Sequence, residues 1–172
     1  MTINFSLPNF FINFRTNDIF FTIVKTHPEF LKNPNVNFLS AHGQFPYCYW
    51  NGGVNINEGP GAYYTDFINC GDSSNIPLRF NFSNLMLTKE DFDNVMANLI
   101  LDLNGNGSNE IELSNLELFN YLKENYPVYS RYIFSKNADI INKMTPEVIN
   151  ALIESDNFSL IELPVYYNGD FE

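Results

Sequence analysis

Between Ile76 and Asn137 the chain reads IPLRFNFSNLMLTKEDFDNVMANLILDLNGNGSNEIELSNLELFNYLKENYPVYSRYIFSKN. In Ile76–Phe82, Leu78, Phe80 and Phe82 alternate with Arg79 and Asn81, the period of two that a strand requires. Thr88 then offers a cap with Asp91 in the capping-box position, which predicts a helix to about Leu103. Glu110–Leu113 reads as the next strand, Leu116–Glu124 as the next helix, and Val128–Phe134 as a third strand. Towards the C-terminus, a helical turn is expected at Ala138–Lys143. Thr145-Pro146-Glu147 supplies a cap, an N1 proline and an acidic first turn for a helix reaching Glu154. Phe158–Leu163 then reads as the last strand.

On the N-terminal side, Ile19, Phe20, Ile23 and Val24 form an apolar stripe. It predicts a helix over Asn17–Lys32, capped by Asn17 or Asp18 and broken at His27–Pro28. Val36–Ala41 reads as a short buried strand. A long polar, Gly-rich connection follows from His42 to Gly61, then a helix over Ala62–Asn69 that stops near Gly71. Five strands alternating with helices imply one α/β domain over residues 1–172, with a mostly parallel sheet and right-handed crossovers. The expected architecture is an incomplete TIM-like barrel, and a doubly wound open sheet is the alternative. An eight-stranded barrel takes about 250 residues, so this chain would supply its first part.

Composition narrows the function classes. With 45% hydrophobic residues, 17 Phe and 10 Tyr, the chain has the apolar surface that disordered chains lack. A net charge of −11, with no Lys/Arg cluster, repels phosphate and anionic lipid, so neither nucleic acid nor membrane is an expected partner. Polarity comes largely from Asn, about one residue in six. Cys48 and Cys70 lack CxxC spacing, which argues against a disulfide scaffold or a structural zinc site. Residues 1–14 have no basic start and no long apolar run, so they do not read as a signal peptide, and a cytoplasmic location is expected.

Three strands end alike: Ser83-Asn84, Ser114-Asn115 and Ser135-Lys136-Asn137 each precede a helix. Ser and Asn are good helix caps, and the same positions form the C-terminal rim where α/β folds place ligands. Leu113-Ser114-Asn115-Leu116-Glu117-Leu118-Phe119 resembles the β/α-barrel proteins of the collagenase-like peptidase group. The segment His42-Gly43-Gln44-Phe45-Pro46, with Trp50-Asn51-Gly52-Gly53, is similar to the first strand-end loop of uncharacterised clostridial barrel proteins. The resemblance runs over about residues 17–165 and implies a partial barrel; fold analogy by itself carries no peptidase activity.

Candidate chemistry sits at strand ends. His42 follows a strand and titrates near neutrality, as a general base or ligand must. Glu110 and Glu112 share one face of a strand, and Glu162 stands near the end of the last one. Carboxylates facing a barrel interior could do acid/base work or be neutralised by Arg79 and Arg131, with Arg79–Glu112 the pair expected. Gln44, Trp50, Asn51, Asn81, Asn115 and Ser135 are the candidate ligand-binding residues. The Gly-rich segments match neither a dinucleotide fingerprint nor a P-loop, so no cofactor is assigned. Asp102–Ser108 spaces oxygen side chains as a calcium loop does. Leu113 stands where the bidentate Glu belongs, and no metal is assigned.

Two readings of function follow. The first is a site for a small molecule or peptide at the strand ends. The second is a non-catalytic protein that self-associates or docks a partner chain over an open sheet edge. An acidic inhibitor of a basic partner ranks last.

Overall fold

The computed structural model describes residues 3–11, 13–27, 29, 36–45, 48–51, 76–135 and 145–162. Its elements are β1 (Ile3–Leu7), α1 (Phe14–Thr26), β2 (Val36–Gly43), β3 (Leu78–Phe82), a 3₁₀ helix (Lys89–Asp93) and α2 (Val95–Leu103). β4 (Glu110–Leu113), α3 (Leu116–Asn125), β5 (Arg131–Phe134), α4 (Pro146–Glu154) and β6 (Leu160–Ile161) complete them. The strands form one sheet in the order β1-β2-β3-β4-β5-β6, and every neighbouring pair is parallel. Strand order equal to chain order is the winding of a β/α barrel. A doubly wound sheet reverses order at a switch point, so the barrel-like expectation holds.

Six strands stand where the sequence reading expects five. The addition is β1, whose residues Ile3–Leu7 pair with β2 across a bulge at Phe5/Ser6. Asn and Ser interrupt this segment, and both weaken a strand signal. The first helix also starts earlier than expected, at Phe14, with Asn13 as its N-cap. Asn17 caps nothing; its Nδ2 donates to the Phe10 carbonyl at 3.2 Å, from inside the helix. The helix stops at Thr26, one residue short of the expected His27–Pro28 break. The helix expected from Thr88 to Leu103 is two. The capping box of Thr88 and Asp91 starts a 3₁₀ helix, and Asn94, extended at ψ 111, then caps α2 by accepting from Ala97 N at 2.9 Å. The expected elements at 62–69 and 138–143, most of the His42–Gly61 connection, Pro28 and Cys70 lie outside the described residues.

The alternation read in the sequence sorts the two faces of the sheet. Leu78, Phe80 and Phe82, with Ile111, Leu113, Tyr132 and Phe134, are buried among Ala97, Ile100 and Leu101 of α2 and Leu118, Phe119 and Leu122 of α3. Trp50 is fully buried on this side, its ring edge-on to Phe82, Phe92 and Tyr121 at 5.2–6.4 Å. The intervening residues, Arg79, Asn81, Glu110, Glu112 and Arg131, share the opposite face.

That opposite face is concave. A flat sheet would hold β2 and β6 about 19 Å apart, four strand spacings, where solvent and salt screen charge. Yet the Glu162 carboxylate, just past β6, acts electrostatically on His42 of β2. The parallel sheet is therefore curled into a half barrel, with helices outside and a polar inner face. Gly43 closes one corner of it. The Phe10 N–H donates to the His42 carbonyl at 3.1 Å, and a Cβ on Gly43 would meet Phe10 N at 3.2 Å and Phe11 Cδ2 at 3.1 Å.

Candidate functional site

Strand register stacks the inner-face side chains in layers. The lower layer runs His42, Arg79, Glu110, Arg131 across β2 to β5, each level with the next. Glu110 is its centre. The Oε2 atom accepts from Arg79 Nε at 2.9 Å, and Oε1 from Arg131 Nη2 at 2.6 Å. The Glu110 and Arg79 side chains are only 5% and 14% exposed, whereas Arg131 is 45% exposed. The expected Arg79–Glu112 pair is therefore replaced by Arg79–Glu110. Register explains the difference. The buried Asn109 side chain accepts from Leu78 N at 2.9 Å, and this bond fixes Arg79 level with Glu110 rather than two residues further along.

One layer up, towards the strand C-termini, Asn81 stands level with Glu112 and donates from Nδ2 to Glu112 Oε1 at 3.0 Å. The other amide atom, Asn81 Oδ1, is buried with no hydrogen-bond partner. Above this layer, Ser83, Ser114 and Ser135 each lie one residue past the paired strand and are all buried. The Glu162 N–H donates to the Phe134 carbonyl at 2.8 Å, so Glu162 continues the β5–β6 ladder to the same height. Below the arginine layer, Ser40 Oγ donates to Ser6 Oγ at 3.3 Å.

The half-buried His42 feels most of this set. Burial lowers its pKa first, the Arg79 charge lowers it further, and Glu162 and Glu110 pull it back up. The net is downward, so the imidazole is neutral at pH 7 and able to accept a proton. The Cys48 thiol offers no comparable chemistry: burial pushes it up to about 12, and the thiolate is the nucleophilic form.

The inner face thus brings together His42, Arg79, Asn81, Glu112, Arg131 and Glu162 from the sequence-predicted set. Gln44 is half-buried two residues beyond His42, and Ser135 is buried at the rim. Three others are bound into the fold. Trp50 Nε1 donates to the Asp91 carbonyl at 2.8 Å from within the core. Asn51, also buried, donates from Nδ2 to the Phe45 carbonyl and accepts from Phe45 N. Asn115 caps α3, its Oδ1 accepting from Glu117 N and Leu118 N while Nδ2 donates to the Leu87 carbonyl. The Ser-Asn repeat therefore divides by role. Asn84 and Asn115 hold turns and caps, and the serines form the rim layer.

The sequence reading named Glu110 only as a carboxylate beside Glu112 and gave Ser83 and Ser114 no ligand-binding role of their own. Glu110 was visible as a carboxylate on the right face, but its central place depends on register. The calcium-like spacing at Asp102–Ser108 resolves into a turn: Asn106 Oδ1 accepts from Ser108 N, Ser108 Oγ and Asn109 N, and Asn104 Nδ2 donates back to the Ile100 carbonyl. Among the described residues no cluster of three or more His, Cys, Asp or Glu could hold a metal ion, and no helix is long and apolar enough to cross a membrane.

A cleft of about 440 Å³ lies outside the barrel, between the 3₁₀ helix and α3, lined by Lys89, Phe92, Asp93, Glu117, Tyr121 and Glu124, among others. None of the sequence-predicted residues lines it. Its carboxylates are those of ordinary helix surfaces, so the inner face, with its buried unpartnered acceptor, is the stronger site. No family model matches the chain, and neither any curated protein nor any solved structure is similar to it.

Proposed function

We propose that this half barrel binds a small polar molecule or a short peptide segment on its inner face, at the C-terminal ends of its strands. His42, Arg79, Asn81, Glu112 and Glu162 are the contacts. One observation carries the reading: Asn81 Oδ1 is buried without a partner. A buried acceptor left in that state costs about 1–3 kcal/mol, a cost a ligand donor removes. Sites that bind polar ligands keep such groups ready in advance. Kinship with the collagenase-like peptidase group of β/α barrels belongs to this proposal too. It draws support from the chain-ordered parallel sheet, and it assigns no reaction. The test is amide NMR of the full chain against a library of small polar fragments. Saturable shifts at Asn81, Glu112 and Glu162 are expected. A library that moves only residues outside the inner face rejects the reading.

A second reading has its own observation. Among the described residues β1 and β6 are the outermost strands of the sheet, and each carries an exposed apolar side chain, Phe5 at 48% and Leu160 at 47%. Exposed edges are surfaces that proteins cover or pair. Self-association through them predicts a concentration-dependent mass in sedimentation, abolished by Phe5→Lys with Leu160→Lys. A monomer at all concentrations removes this reading.

A further inference from the structure

We infer that the outer face of α2, with the acidic cleft beside it, docks a basic amphipathic helix of a protein partner. This surface is distinct from the inner face and from the two outermost strands. The outer face of the neighbouring α3 is polar, as a solvated helix face is: Glu117, Asn120 and Glu124 are exposed, while Leu118, Phe119 and Leu122 are buried. In contrast, α2 buries Ala97, Ile100 and Leu101 and still exposes Leu99, Leu103 and Val95, the last by 80%. Asp102 is its only charged residue. Helices apolar on both sides are normally covered on both sides. The three exposed residues recur at every fourth position, so they form one ridge about 12 Å long, of the kind that packs into the grooves of a second helix.

Charge identifies the partner. The cleft has Phe92 and Tyr121 in its wall, and sets Asp93, Glu117 and Glu124 against a single cation, Lys89. By itself it is a helix surface; beside the ridge it supplies the acidic half of a two-part surface. The two halves are tied together, because Asn98 of α2 accepts from the Tyr121 and Tyr126 hydroxyls at 3.1 and 2.7 Å. Burial first, then the Asp93 and Asp102 charges, raise the pKa of the Tyr121 hydroxyl, so the fields of both carboxylates reach the cleft wall. Among the described residues none of Asp93, Asp102, Glu117 and Glu124 is held in an ion pair. Asp102 and Glu124 also stand in the last turn of their helices, where the macrodipole disfavours a carboxylate. The fold gains nothing from them there, whereas a cation brought by a partner would. A helix with apolar side chains on one face and Lys or Arg along its flank meets both halves, and the aromatic wall adds its own attraction for a cation. A second copy of the chain is the poorer occupant, since it brings the same acidic rim and sets −11 against −11.

The test titrates the full chain with two synthetic amphipathic helices about four turns long, one of leucine and lysine and one of leucine and glutamate in the same pattern. Amide NMR should show saturable shifts at Val95, Leu99, Leu103 and Tyr121 with the lysine peptide and none with the glutamate peptide. Leu99→Lys puts a charge into the ridge and should weaken binding about tenfold. Asp102→Asn with Glu124→Gln leaves the ridge intact, and keeps the test decisive if Leu99→Lys does not fold. It should weaken binding about fivefold and reduce its salt dependence, while thermal stability stays level or rises. A fall in stability with unchanged binding would make these carboxylates structural and overturn the proposal. Equal binding of the two peptides, no binding of either, or shifts scattered over the acidic surface or confined to the inner face also overturn it. So does a concentration-dependent dimer of the chain alone that Leu99→Lys abolishes, which would make a second copy the occupant.

Discussion

Replacing Glu110 by alanine should be among the most damaging single changes to the inner face, and the size of the effect can be worked from burial. Glu110 holds two guanidinium groups. Without it, Arg131 has an easy escape, because its side chain is already 45% exposed and its head can turn to water. Arg79 has none; at 14% exposed it keeps a charge in a poorly solvated place with its nearest carboxylate gone. Stranding one member of a buried pair costs about 3–5 kcal/mol, and almost all of that falls on Arg79. For a domain of this length each kcal/mol moves Tm by about 2–4 °C, so the variant should melt roughly 6–20 °C lower. Arg131→Ala makes the matched control. It leaves Glu110 bonded to Arg79 and deletes only the exposed half of the network, worth about 0–1 kcal/mol. Replacing Arg79 and Glu110 together by methionine should be less harmful than Glu110→Ala, since no buried charge is left behind. Urea unfolding followed by Trp50 fluorescence measures all three. A Glu110→Ala cost below about 1 kcal/mol, or an Arg131→Ala cost equal to it, refutes the assignment of Arg79 as the stranded charge.

Other consequences follow from the same structure. The lowered pKa of His42 gives a stability component that is complete above its unfolded value of about 6.5 and is lost as pH falls through the lowered folded value. Comparing pH–stability curves of the native chain and His42→Asn should remove that component, and identical slopes below pH 6.5 would rule it out. Burial pushes the Tyr132 hydroxyl up to about 12. Its ionisation should lag behind that of exposed tyrosines in an absorbance titration, and its contribution to stability declines as pH rises past about 10, the unfolded value. Titration of Tyr132 near 10 in the folded chain contradicts this. Asn115→Ala removes the α3 cap and the Leu87 bond together. It should cost about 1–2 kcal/mol in urea unfolding while leaving fragment binding unchanged; a loss of binding without a loss of stability would move Asn115 into the site.

Much of this fold is legible in residues 76–135 because periodicity is local. Leu78, Phe80 and Phe82 against Arg79 and Asn81 show which face is buried, and Asn94, Thr88 and Asn115 are cap residues by type. Register is not local. Whether Arg79 meets Glu110 or Glu112 depends on how far β4 slides along β3, and that is fixed by a side-chain bond from Asn109, which reads in sequence as one more turn Asn. The strand β1 is hard to read for a different reason. Its alternation is genuine, but Ile3–Leu7 is only five residues long, contains Asn4 and Ser6, and ends at Pro8. Missing β1 also hides the Ser6–Ser40 contact, which needs two strands to exist. Trp50 misleads in the opposite sense. A tryptophan beside Asn51-Gly52 suggests a platform for a ligand, and only the packing of Phe82, Phe92 and Tyr121 around it reveals a core anchor.

The two middle layers of the inner face are built on opposite principles, and this separates structure from function in a testable way. In the Glu110 layer each carboxylate oxygen accepts from an arginine, so the group is satisfied from within and asks nothing of a ligand. Polar networks closed in this manner specify a geometry, here β3, β4 and β5 held level at Arg79, Glu110 and Arg131. The Asn81–Glu112 layer is built from the same kinds of atoms but stops short, with one amide oxygen buried and idle. A fold selected for stability alone would place a donor against that oxygen or an apolar side chain in its place. Asn81→Leu removes the unsatisfied acceptor but also takes a donor from the buried Glu112 carboxylate, so it should cost at most about 1–3 kcal/mol. Fragment binding at the inner face should be lost at the same time. A stability loss well above about 3 kcal/mol, with binding lost as well, would show instead that Asn81 serves the fold, as Asn115 and Asn51 do.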